Sequence, residues 1–233
     1  AAALRVALVE ARNYLEKWRL YEEKVTEYER KVEAGDEDAE RPAPPERDLK
    51  LEALGRVLRR EMKARIHAHR ADDMLTAIRI AEEFDLDFTL EHATEGYKIA
   101  DILAEKEIPV TAGPILFSRM KYELKDMTPK NPGLMAKAGV KVAIQTDEMS
   151  AVKYLTINAA LATREGLPEE EALKAVTIYP AEIIGVEDRV GSLEEGKDAD
   201  IVVLSGHPFD FRSVVEWVLV DGQTAYRREE EEA

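Results

Sequence analysis

The stretch Arg65-Ile66-His67-Ala68-His69-Arg70 alternates polar with apolar residues and reads as a short strand. Side chains at i and i+2 of a strand share a face, so His67 and His69 project to one side while Ile66 and Ala68 pack on the other. Three more β-prone segments follow at 87–92, 108–112 and 140–146, and the intervening 72–84, 95–105 and 132–138 carry helical apolar spacing. Strands alternating with helices in this way lie parallel and connect through right-handed crossovers. The expectation is an α/β fold, either a barrel or a doubly wound sheet.

Working outward, Leu4, Leu8, Ala11, Leu15, Trp18, Val25, Tyr28 and Val32 recur at three- and four-residue steps, which predicts one amphipathic helix over 3–33. The acidic, proline-rich stretch 36–45 cannot continue it and reads as a solvated loop, and a second helix is expected over 48–60. On the other side, helices are expected over 152–165 and 168–179, with Pro180 interrupting before a short piece at 181–184. After Gly191 the character turns to β, at 199–204, 214–220 and 223–226, the last two joined by the hairpin signal Asp221-Gly222. The charge-dense tail 227–233 is expected to fray. Three segments result: a helical one with its acidic loop at 1–60, an α/β one at 61–188, and a β one at 189–233.

The 233 residues carry 48 acidic against 33 basic side chains, a net charge of −15, which repels phosphate backbones and anionic lipid surfaces. No apolar run approaches the roughly 20 residues of a membrane span, so the expectation is a cytoplasmic protein with no nucleic-acid or membrane partner. Cysteine is absent, which rules out disulfides and thiolate metal sites and leaves His, Asp, Glu or a modified Lys as the available ligands. Charged residues make up 35% of the chain and amides are few, a balance resembling heat-adapted proteins.

Of the four histidines, His67, His69 and His92 fall at the carboxyl ends of expected parallel strands, and Asp147 closes the fourth such strand. The ends of different barrel strands converge on one mouth. A lone histidine at a strand end is usually a hydrogen-bonded structural group, but three with an aspartate at equivalent positions form the ligand set of catalytic zinc or a related ion. His207, in Gly206-His207-Pro208, follows a late strand in a turn and reads as a surface residue.

The stretch 65–164 contains His67-Ala68-His69-Arg70, Glu91-His92, Gly113-Pro114, Thr146-Asp147 and Asn158-Ala159-Ala160-Leu161-Ala162. It resembles the amidohydrolase superfamily near its imidazolonepropionase-like and Xaa-Pro dipeptidase-like members. Pro180-Ala181-Glu182-Ile183-Ile184-Gly185 and the Gly-x-Leu-x-x-Gly-x-x-Ala-Asp pattern from Gly191 to Asp200 look like the family's end-of-barrel helix and its return to a small β-sandwich. The resemblance implies strands five to eight of a (β/α)8 TIM-like barrel, a C-terminal piece of β-sandwich, and one or two divalent metals, zinc foremost. It places the strand-five and strand-six ligands at His67 and His92, and the strand-eight aspartate, both ligand and proton shuttle, at Asp147. His69 has no default counterpart there and stands as a further ligand, a substrate contact or a support for a ligand. Arg70, Ser118 and Arg119 near the mouth are candidates to bind a small-molecule substrate.

Two departures from the family pattern stand out. The family's first-strand His-x-His and its fourth-strand Lys or Glu have no match here, so the chain is expected to be a truncated form, inactive alone, whose unpaired sheet edges favour a homo-oligomer or a missing N-terminal half. Relatives often follow the strand-eight aspartate with His-Pro, whereas Glu148-Met149 follow Asp147. The implied function is hydrolysis of an amide, peptide or cyclic amide C–N bond by a metal-activated water. The alternatives are a non-catalytic fragment or a subunit of a split amidohydrolase, and a related deaminase, which is disfavoured because those enzymes usually place Glu where Arg70 stands.

Overall fold

The computed structural model describes residues 1–116, 121–147 and 151–229, and its contacts gather the chain into two compact units. One comprises 1–64 and 76–88, the other 65–75 and 89–233. Ser118, Arg119, Glu148, Met149 and the end of the charged tail lie outside the described residues.

In the first unit, helix α1 (Ala2–Glu33) buries Leu8, Ala11 and Tyr14, one stripe of the pattern read from sequence. Helix α2 (Leu49–Leu58) starts where Asp48 caps it, the carboxylate accepting from the Lys50 and Leu51 amides at 2.9 and 3.1 Å. The two helices approach closely at Gly55, where a Cβ would stand 2.9 Å from Leu15 Cδ2. The Tyr14 hydroxyl donates to Glu52 across the pair at 3.2 Å. A cavity of about 1180 Å³ opens beside Trp18, Arg47 and Arg56.

In the second unit the sheet runs in the order β1 (Ala64–Ala68), β2 (Phe88–His92), β3 (Val110–Ala112), β4 (Val142–Ile144). β2, β3 and β4 are parallel, in a register that sets His92 beside Ala112 and Ala112 beside Ile144. Hydrogen bonds from the Ala64 amide to Asp87 and from the Ala93 amide to Ala68 pair the beginnings and then the ends of β1 and β2, so β1 runs the same way. Between β1 and β2 the chain forms α3 (Ala71–Glu83), most of which belongs to the first unit; the later crossovers carry a 3₁₀ turn Gly96–Ile99 leading into α4 (Ala100–Glu105), then α5 (Asn131–Lys137). After β4 come α6 (Leu155–Arg164), α7 (Glu169–Ala175) and α8 (Ile178–Ile184). Ile144, Ala159, Ala162, Leu167, Ala172 and Ala175 form one buried cluster, in which alanines let the helices sit close to the strand.

Pro180 does not interrupt the last helix as expected. It is the third residue of α8, inside the first turn, where the missing N–H has no intrahelical acceptor to lose. The strands are also shorter than their apolar runs. β1 stops at Ala68, leaving His69 just past its end, and β4 stops at Ile144. The Gln145 amide still bonds to the Ala112 carbonyl at 3.0 Å before the backbone turns at Asp147, whose φ is 61°.

A separate antiparallel sheet of β5 (Ile201–Leu204), β6 (Val215–Val220) and β7 (Gln223–Arg227) follows, in that order. Val220 pairs with Gln223 across Asp221 and Gly222, whose φ values of 54° and 73° make the tight hairpin read from sequence. Among the described residues no helix is long and apolar enough to cross a membrane.

Leu103 in α4 is fully buried, so Leu103→Ala removes packed volume that the interior cannot refill. Urea unfolding is expected to show a loss of about 2–5 kcal/mol. A loss under about 0.5 kcal/mol, the range of surface changes, would contradict this placement.

Candidate metal centre

His67, His69 and His92 converge at the carboxyl ends of β1 and β2, each offering a ligand nitrogen, all within 4.8 Å of one another. Ring centroids stand 4.2 Å apart for His67 and His92, 4.4 Å for His69 and His92, and 4.8 Å for His67 and His69. His69 and His92 are buried at 5% and 4% exposure, whereas His67 is open to solvent. Asp147 brings Oδ2 to 3.9 Å from His92 Nε2, with 57% of its side chain exposed.

Each buried imidazole is tied by its other nitrogen. His92 Nδ1 lies 2.7 Å from the Gly113 carbonyl and 2.9 Å from the Gln145 side-chain nitrogen; since a carbonyl only accepts, the tautomer that satisfies the shorter contact has its proton on Nδ1 and the lone pair on Nε2. The Gln145 amide donates to the same carbonyl at 3.3 Å. His69 Nδ1 meets the Thr94 hydroxyl at 2.7 Å, which turns Nε2 toward the Glu123 carboxylate 3.8 Å away.

The loops that carry these groups are pinned from behind. The Asn131 side chain donates to the Ala93 carbonyl and accepts from the Tyr97 amide, both at 2.9 Å. Asn158 accepts from the Ile115 and Leu116 amides, again at 2.9 Å, holding the turn after Gly113. Glu95 accepts from the Ala71 amide at 3.0 Å and so caps α3 beside His69. His92, Ala93 and Asp147 have φ of 70°, 40° and 61°, a left-handed backbone that surrounding bonds of this kind must hold.

Burial sets the charge state of the cluster. Loss of solvation, reinforced by the neighbouring His92 and opposed by Glu123, holds the His69 imidazole down at about 4. Burial also lowers His92, against an upward pull from the Gly113 carbonyl. Both rings are therefore neutral at pH 7, the form that binds cations. Deeper in the sheet, Glu91 takes a bidentate pair from Arg65 at 2.9 Å and bonds from Thr89 and Thr111. Burial pushes that carboxyl up, but these donors outweigh it and leave it below the usual range.

Of the other residues singled out in the sequence, Arg70 forms a bidentate pair with Asp72 at 2.9 and 3.0 Å and stands over the Tyr122 ring at 5.6 Å. His207 is at the surface, 3.3 Å from Glu169. Sequence reasoning passed over Thr94, Gln145, Glu123 and the Gly113 carbonyl. Gln145 could have been found, since it precedes Asp147 by the two-residue step that shares a strand face, and Gly113 stood in the Gly113-Pro114 motif without its carbonyl being given a role; Thr94 and Glu123 carry no local signal.

Residues 20–225 match the model of the amidohydrolase family. The chain belongs to that family. The amidohydrolase family is generally metal-dependent and its neighbours imply a TIM-like barrel fold, with which the α/β architecture and parallel sheet agree. An amidohydrolase from Thermotoga maritima is 50% identical in its solved structure, with a TM-score of 0.78 over 90% of this chain and 55% of that one. The amidohydrolase tasK of Hapsidospora irregularis is 26% identical over 186 residues, 77% of this chain and 19% of the relative. An imidazolonepropionase of Clostridium tetani is 29% identical over 192 residues, 77% of this chain and 42% of the relative. The chain thus spans between a fifth and just over half of the length of these relatives.

Because the folded His69 value of about 4 lies below the ordinary 6.5, the unfolded chain binds this proton more tightly. The stability contributed by neutral His69 is whole above pH 6.5 and is lost as pH falls from there toward 4. Urea midpoints measured across that window are expected to fall more steeply for the wild type than for His69→Asn. Parallel curves for the two proteins would contradict the burial assignment.

Proposed function

We propose that this chain carries the second half of a metal-dependent hydrolase that cleaves the C–N bond of an amide, peptide or cyclic amide in a small-molecule substrate. In this reading β1 to β4 are strands five to eight of the barrel, 1–60 is a helical segment preceding them, and 189–233 is the β-sandwich return. The observation that carries the proposal is the convergence of His67, His69 and His92 within 4.8 Å, with Asp147 3.9 Å from His92.

The donor set fits a divalent ion of the zinc type. Neutral imidazoles and a carboxylate suit borderline metals, and an imidazole whose Nδ1–H is bonded to a carbonyl presents Nε2 for coordination in the usual outer-partner arrangement. His67, His92 and Asp147 would hold one ion or a pair, with His69 as a further ligand. A divalent ion bound there supplies Lewis-acid activation, lowering the pKa of a water from about 15.7 toward 7. Asp147, half open to the mouth, accepts the proton of the attacking water and delivers it to the leaving nitrogen. Arg70, over the Tyr122 ring, contacts the substrate together with Ser118 and Arg119. The net charge of −15 and the absence of a spanning helix among the described residues favour a cytoplasmic enzyme with neither nucleic-acid nor membrane partner.

The alternative reading is a non-catalytic fragment or one subunit of a split enzyme, completed by an N-terminal half or by association of copies. One assay separates the two. The isolated chain, supplied with zinc or manganese and amide, dipeptide and lactam substrates, is expected to show no turnover. Adding a polypeptide that bears a first-strand His-x-His is expected to produce turnover that chelators abolish and that Asp147→Asn reduces to background, since asparagine cannot accept the proton. His207→Ala is expected to leave it unchanged. Turnover that survives both chelation and Asp147→Asn would defeat the metal-hydrolase reading.

A further inference from the structure

The segment after β3 brings to the histidines a carboxylate that the strand-end pattern does not contain. Leu124, at 3% exposure, anchors a 3₁₀ turn, Tyr122–Leu124, which is closed by the Leu124 amide donating to the Lys121 carbonyl at 3.0 Å. From this turn Glu123 reaches toward His69 and leaves Oε1 3.8 Å from Nε2. Within the same cluster His92 Nε2 and Asp147 Oδ2 repeat the arrangement at 3.9 Å. The three rings form a near-equilateral triangle, with His67 4.8 Å from His69 and 4.2 Å from His92, and His69 4.4 Å from His92.

The separations of 3.8 and 3.9 Å share one property. They are too long for a direct hydrogen bond, which ends at about 3.5 Å. They are also shorter than the roughly 4.2 Å that separates two ligands each about 2.1 Å from one ion when the three lie in line. A nitrogen and a carboxylate oxygen at such a distance can hold a cation between them without backbone movement. His69 is already oriented for this, with Nδ1 held by Thr94 at 2.7 Å and Nε2 facing Glu123. Lys121, 3.5 Å from Glu123, competes for the carboxylate, but it is 64% exposed and swings into water at little cost.

We propose that His69 and Glu123 form a ligand pair for a divalent cation, a second coordinating pair of the cluster in addition to His92 and Asp147. Glu123 is thereby a metal ligand contributed by the segment between β3 and α5 rather than by a strand end. A carboxylate beside neutral imidazoles supplies the negative charge that a divalent cation requires. The inference rests on the cluster being a metal centre, and it assigns Glu123 to that centre.

Coordination is read without turnover by titrating the whole chain with Co²⁺, followed through its visible ligand-field absorption, and with Zn²⁺ by calorimetry. Glu123→Gln is expected to weaken binding by about 100-fold or more, beyond the roughly 10–100-fold that loss of an outer partner of a ligand costs, and to alter the Co²⁺ spectrum. His69→Ala is expected to do the same, and the double variant to lose much less than the two single losses combined, because both groups serve one ion. Far-UV circular dichroism checks the fold, with Glu123→Ala as the substitute should the glutamine variant misfold. Wild-type affinity and spectrum in Glu123→Gln, alongside losses in His92→Ala and Asp147→Asn, would overturn the assignment of Glu123 and leave the hydrolase centre standing. Losses in Glu123→Gln and His69→Ala with His92→Ala and Asp147→Asn silent would uphold the pair and tell against the shared centre. Absence of Co²⁺ and Zn²⁺ binding by the wild-type chain would overturn both.

Discussion

The close approach of Gly113 to β4 is the constraint on which the geometry of the cluster depends. A Cβ at this position would lie 2.1 Å from the Gln145 carbonyl oxygen, and the backbone sits at φ 140°, so no other residue fits. Because Gly113 can lie flat against the end of β4, its own carbonyl turns toward β2 and accepts a hydrogen bond from His92 Nδ1. The parallel register then does the rest, setting His92 beside Ala112 and Ala112 beside Ile144, three residues before Asp147. A side chain at 113 would separate the strand ends, release the tautomer of His92 and widen its gap to Asp147.

Packing around that point trades polarity for precision. Asn131 and Asn158 are buried at 4% and 1% exposure, costly unless every polar atom is paired, and they repay it by bonding backbone amides and carbonyls of the loops behind His92 and Gly113. The Arg65–Glu91 pair with its two threonines satisfies the polar interior of the sheet in the same way. Ion pairs elsewhere are of a different kind. Arg19 with Glu16 and Glu23 on α1 lies more than half exposed, where such contacts contribute roughly 0–1 kcal/mol and shape solubility more than fold.

Electrostatics in the cluster follow burial more than neighbours. His69 faces the carboxylate of Glu123, which by itself would raise its pKa, yet loss of solvation wins and the ring sits near 4. Neutral imidazoles facing carboxylates are a poor arrangement for ion pairs and a good one for holding a cation, which is why the amidohydrolase membership and the local physics point to the same chemistry.

Much of this was legible in the residues themselves. Apolar spacing determined the long first helix, the alternation of strand and helix, and the Asp221-Gly222 hairpin, because those depend on contacts within a few residues. The two-residue step from His67 to His69 likewise placed both rings on one side of a strand, since strand geometry allows nothing else. Where elements stop was not legible: Pro180 sits inside α8 and β4 ends at Ile144 because a first helical turn and a strand end are decided by which backbone groups find partners. Nor were the partners of the histidines. Thr94 and Glu123 come from segments whose local sequence is silent, the Gly113-Pro114 motif does not say what its carbonyl meets, and only the side-by-side packing of β1 to β4 brings them within reach, because distance across a sheet is set by register and not by spacing along the chain.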